Sequence, residues 1–108
     1  MEKLKMQLSY RYGYVSSLWI QSSHKNEQDY REVYKLIDNE GKVIMGLWIE
    51  LYHSSKKQSY RICYYNFLYR EYFKKFVLLS KDRNFTSFYT TKEEALEVAT
   101  QVYLLSKA

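Results

Sequence analysis

Every odd position from 43 to 51 is apolar: Val43, Met45, Leu47, Ile49 and Leu51. The even positions between and after them, Ile44, Gly46, Trp48, Glu50 and Tyr52, mix aromatic rings with a charge. A strict two-residue period is the pattern of a β-strand with one face in the core and the other half covered. Residues 42–53 are therefore expected to be one long strand. Just before it stands Asp38-Asn39-Glu40-Gly41, a run of turn-forming residues whose Gly41 can take a positive φ where a type I turn closes into a bulge. Residues 31–37, rich in Val, Tyr and Ile, supply the partner strand. A hairpin over residues 31–53 anchors the expected fold.

The same period recurs on both sides of the hairpin. Met6, Leu8, Tyr10, Tyr12 and Tyr14 alternate with Gln7, Ser9, Arg11 and Gly13, and Leu18 and Ile20 keep that parity. The polar stretch 22–29 reads as a loop. Tyr60, Ile62 and Tyr64 alternate with Arg61, Cys63 and Tyr65. Phe73, Lys75, Val77 and Leu79 then alternate with Lys74, Phe76 and Leu78, so residues 59–79 are expected to form two strands joined near 66–71. A competing helix over 59–76 is visible in the spacing of three and four among Ile62, Tyr65, Tyr69, Tyr72 and Phe76. Residues 84–89 form a last short strand. Thr91-Lys92-Glu93-Glu94 opens a helix as a capping box, with two acids favourably placed at the positive end of the helix dipole. Its buried stripe is Ala95, Val98, Ala99, Val102 and Leu105, widened by Leu96 and Tyr103. The expected architecture is a single α+β domain over residues 1–108: an antiparallel β-meander of five or six strands with one C-terminal α-helix packed on the sheet.

The run Phe88-Tyr89-Thr90-Thr91-Lys92-Glu93-Glu94-Ala95 resembles the end of small three-stranded DNA-binding domains, such as the arm-binding domains of tyrosine recombinases. That resemblance implies a strand leading into a helix that backs the sheet, with basic strands offered to a DNA groove.

Residue inventory narrows the function classes. Cys63 is the one cysteine, so no intramolecular disulfide and no cysteine-based zinc site can form within the chain. A reducing, cytoplasmic setting is expected. The N-terminal residues lack an apolar signal core, and no apolar run is long enough to span a bilayer, so no membrane partner is expected. His24 and His53 are the only histidines and share no metal-ligand spacing. His24 reads as a solvated loop residue and His53 as a rim residue at a strand end. The three glycines are isolated, so no phosphate-binding loop exists. The expectation is a non-enzyme without catalytic residues, metal or cofactor.

The chemistry concentrates in residues 54–83. Lys56, Lys57, Arg61, Arg70, Lys74, Lys75, Lys81 and Arg83 stand there against Glu71 and Asp82 alone, a surplus of +6 that exceeds the whole chain's formal net charge of +5. Eight aromatic residues are interleaved with them, in a chain with thirteen tyrosines. Cations beside flat rings suit a polyanion with exposed bases, or an acidic protein surface. The first expectation is nucleic-acid binding, DNA or RNA, with Lys56, Lys57, Arg61, Lys74, Lys75, Lys81 and Arg83 on phosphate and Tyr65 and Tyr69 as stacking residues. The alternative is docking on a host protein or ribonucleoprotein complex through Trp19, Ile44, Trp48 and Tyr52, since Trp and Tyr are favoured interface anchors. In size and tyrosine content the chain is similar to phage-encoded inhibitors of host defence, anti-CRISPR proteins among them. Unpaired sheet edges also make a homodimer possible.

Overall fold

The computed structural model describes residues 3–15, 18–21, 29–54, 57–80 and 88–108, with backbone only over 13–15 and 18–21. The elements run β1 (Lys5–Val15), β2 (Leu18–Gln21), β3 (Tyr30–Ile37), β4 (Val43–His53), β5 (Gln58–Tyr64), α1 (Asn66–Leu79), β6 (Phe88–Tyr89) and α2 (Lys92–Lys107). The strands form an antiparallel sheet in the order β2-β1-β3-β4-β5-β6. The fold is α+β, with the C-terminal helix on the sheet. It departs from a simple meander at one point. β3 pairs with β1 on the side away from β2, which leaves the short β2 at the edge.

The central hairpin forms as its sequence dictates. The Asp38 amide donates to the Lys42 carbonyl at 2.9 Å and the Gly41 amide to the Asp38 carbonyl at 3.1 Å. The Asp38 carboxylate accepts from the amides of Glu40 and Lys42, each at 2.9 Å. Gly41 sits at φ 83°, a backbone state that costs an L-residue about 1–2 kcal/mol.

Residues 59–79 correct the two-strand expectation. They split into β5 and a second helix, α1, which replaces the strand expected over 73–79. Tyr65, extended at φ −80° and ψ 125°, stands at the junction. From there Tyr69 and Phe73 point into the core, with Tyr72 and Phe76 packed against it. Four aromatic residues on one helical stripe bury more surface than the broken alternation of 73–79 offers a strand.

Both helices cover one sheet face. Leu36, Leu47, Ile49 and Ile62 from the strands meet Tyr69 and Phe73 of α1 and Ala95, Ala99, Val102 and Tyr103 of α2. Thr91 caps α2 by accepting from the Glu94 amide at 3.2 Å. Leu4 joins this core from outside β1. Its amide donates to the Thr100 hydroxyl at 3.4 Å, and that hydroxyl donates to the Leu96 carbonyl at 2.8 Å.

Two bulges change which residues reach the core. In β1 the register with β3 shifts between Leu8 and Tyr10. Met6 and Leu8 thus share the helix side, while Tyr10 and Tyr12 turn to the other face. In β4 the ladder to β3 breaks between Lys35 and Ile37, opposite a Gly46 held at φ 80°. Leu47, Ile49 and Leu51 face the core as expected, but Ile44 takes the core place of the odd residues before the bulge. Val43 and Met45 are exposed instead, Met45 to 78%. The unbroken odd-numbered core face is therefore corrected to one that changes parity at Gly46.

Candidate functional site: the open sheet face

The sheet face away from the helices carries the even positions of β4 from Trp48 onward and the odd positions of β3 and β5. Cross-strand register aligns Tyr12, Arg31, Tyr52 and Ser59 in one row, and Tyr10, Val33, Glu50 and Arg61 in the next. Lys35, Trp48 and Cys63 form a third row. Phe88 of β6 lies beside Arg61. Period-two geometry guarantees that residues in these rows project to the same side.

Within this face, rings and cations are interleaved. The Arg31 guanidinium lies 5.0 Å from the centre of the Tyr12 ring and 5.7 Å from that of Tyr52. It also donates to the Tyr52 hydroxyl at 3.4 Å, and that hydroxyl donates to the Glu50 carboxylate at 3.2 Å. The Tyr52 ring meets Phe88 edge to face at 6.3 Å, and Arg61 lies 5.8 Å over Phe88. At the opposite end Trp48 contacts Tyr65 edge to face at 5.2 Å, and Tyr65 stacks on Phe67 at 5.7 Å. Such ring pairs and cation–π contacts each stabilise by about 0.5–1.5 kcal/mol. They hold the side chains in place while about half of Tyr10, Tyr65 and Phe88 remains open to solvent.

Cys63 sits in this face beside Glu50. Burial, reinforced by the Glu50 carboxylate, pushes its thiol up to about 12, so it remains protonated at neutral pH. A nucleophilic thiolate has no support here. Among the described residues no three His, Cys, Asp or Glu side chains converge as a metal site would require. His53 ends β4 and stacks on Tyr30 at 4.4 Å, a rim position as expected. His24 lies outside the described residues.

The residues singled out from sequence are distributed over several surfaces. Arg61 and Tyr65, from the basic segment, and Trp48 and Tyr52, from the protein-interface alternative, come together on the open face. Lys74 and Lys75 are exposed on α1, on the helix side. Lys57 is exposed between β4 and β5, its carbonyl accepting from the Ser54 amide at 3.0 Å. Tyr69, expected to stack on a ligand, is instead a core residue at 8% exposure. Ile44, expected on an interface, is likewise buried at 8%, because the Gly46 bulge turns it inward. Lys56, Lys81 and Arg83 lie outside the described residues, as does the side chain of Trp19 on β2.

Tyr10, Tyr12, Arg31 and Phe88 belong to the face but not to the basic segment. A net charge summed along the chain hides Arg31, because the acids near it in sequence cancel it there, whereas in the fold it stands among Tyr12, Tyr52 and Glu50. Its signal was available in the hairpin register, which sets residue 31 opposite Tyr52. Compared with protein-family models, curated proteins and solved structures, the chain matches none.

Proposed function

We propose that this protein binds single-stranded nucleic acid, RNA or DNA, on its open sheet face. The observation that carries the reading is the alternation Tyr12–Arg31–Tyr52–Phe88–Arg61 across adjoining strands. Rings supply stacking surfaces for unpaired bases, at about 1–3 kcal/mol per base, and the guanidinium groups supply charge for the phosphates between them. A broad sheet face favours a single strand over a duplex, whose bases are already stacked and whose grooves admit a helix or a two-stranded ribbon. Glu50 lies within the field of the Arg31 guanidinium, which offsets its repulsion of a polyanion. The chain's net charge of +5 adds a general attraction.

The test is fluorescence anisotropy of labelled single strands and duplexes at about 50 and 200 mM salt. Single strands are expected to bind at low salt and to weaken steeply at high salt. Arg61→Glu and Phe88→Ala, both at exposed positions, are expected to reduce affinity by about tenfold each. Lys74→Glu with Lys75→Glu, on the helix side, is expected to cost much less. Absence of binding at low salt, or binding indifferent to Arg61 and Phe88, refutes the assignment.

A further inference from the structure

On the opposite side of the molecule α1 and β5 border an open groove of about 430 Å³, lined by Tyr64, Arg70, Phe73, Lys74, Val77 and Leu78. Its floor is the Tyr64–Phe73 stack, with ring centres 4.3 Å apart and planes at 20°. Leu78 stands over it at 84% exposure. An apolar side chain held this far into water contributes nothing to the core, and an apolar concavity of this volume lies within the ~300–1,000 Å³ range of ligand sites.

The charged lining is entirely cationic. Among the described residues Arg70 makes no ion pair, and Lys74 is held by Glu71 at 3.5 Å in an exposed pair that is cheaply displaced. Neither cation serves the helix dipole, since the last turn of α1 contains no basic residue. An apolar floor flanked by one unpaired cation, Arg70, and one held only in an exposed, displaceable pair, Lys74, selects an occupant with the inverse pattern.

We propose that this groove docks an acidic protein segment that inserts one large apolar side chain between carboxylates. The apolar side chain meets Phe73, Val77 and Leu78, and the carboxylates pair with Arg70 and Lys74, Arg70 offering a bidentate fork. A concave site suits an inserted side chain better than the flat surface of a bilayer. A second copy of this chain brings the same positive net charge and is repelled at low salt. The site is independent of the sheet face and needs no nucleic acid.

The test is selection of displayed random linear peptides on the full-length protein, followed by anisotropy of the enriched peptides in synthetic, labelled form. Enrichment of a Leu, Phe or Trp flanked by Asp or Glu is expected. Arg70→Glu with Lys74→Glu, and separately Leu78→Asp, are expected to weaken those peptides by about tenfold or more. Phe88→Ala, on the sheet face, should leave them unchanged. Circular dichroism establishes that each variant is folded, which its exposed position favours. Peptides lacking the acidic flanks, or insensitive to both groove variants, overturn the proposal. So does finding that the same variants abolish binding to phosphatidylcholine–phosphatidylglycerol vesicles, or self-association in sedimentation equilibrium, while no acidic peptide binds.

Discussion

Replacing Gly46 by Ala tests the feature that turns β4 inside out. Gly46 sits at φ 80°, where a Cβ costs about 1–2 kcal/mol in backbone energy alone. A Cβ there would also lie 2.6 Å from Leu68 Cδ1 and 3.1 Å from Tyr65 Cδ2. Overpacking of this kind costs about 1–3 kcal/mol, toward the lower end here because the Leu68 side chain is partly exposed and can swing away. The expected total is about 2–3 kcal/mol, or a fall of roughly 10 °C in Tm. Gly41→Ala is the internal control. Gly41 has φ 83° but nothing within 4 Å of its would-be Cβ, so only the backbone part, about 1–2 kcal/mol, is lost. Urea unfolding followed by circular dichroism measures both, with an unchanged slope marking a change in stability rather than in compactness. Adding Leu68→Ala to Gly46→Ala should return about 1 kcal/mol as a coupling energy, since it removes the Cδ1 contact and leaves Leu68 Cβ at 3.7 Å. Equal losses at Gly41 and Gly46, with no coupling to Leu68, would refute a steric cost from the close approach of Leu68 to Gly46.

Three further outcomes follow from the buried polar groups. Thr100→Val keeps the shape of a buried side chain but strands the Leu4 amide, so a loss of about 1–3 kcal/mol is expected by urea unfolding, and a neutral result excludes that hydrogen bond. Burial raises the Cys63 thiol from its ordinary 9.0 to about 12, so the native state holds a proton that the unfolded chain releases. Stability is expected to be fully present below pH 9 and to fall as pH rises toward 12, with the raised phenols of Tyr60 and Tyr69 acting in the same direction. Alkylation of Cys63 at pH 8 should be much slower in the folded protein than in urea; equal rates would contradict it.

Much of the fold was legible because local chemistry and tertiary burial agree. Asp38 and Gly41 specify the turn, Thr91 and Glu94 specify the start of α2, and the Leu47–Ile49–Leu51 alternation specifies the central strand. α1 was legible only as the competing helix over 59–76, because its stripe of Tyr69, Tyr72, Phe73 and Phe76 overlaps an alternating pattern and neither Gly nor Pro marks its start. The bulges at Leu8–Tyr10 and at Gly46 were hidden for a different reason. Each inserts residues without altering composition, and each reverses the face of everything before it. The open face was half visible. Trp48 and Tyr52 follow from the strand parity and Arg61 from the charge, but their union with Tyr12 and Arg31 exists only once β1 and β3 are in register.

The bond between Leu4 and Thr100 joins the first residues of the sheet to the last helix, and it bears on how the chain is made. Leu36, Ile49 and Ile62 are synthesised well before α2, the helix whose Ala95, Ala99 and Val102 cover them. A chain still emerging from the ribosome therefore holds a sheet whose greasy side is roofed by α1 alone. Long-range closure of this kind slows folding and leaves the nascent chain open to chaperones and to its neighbours until translation reaches the C-terminal helix.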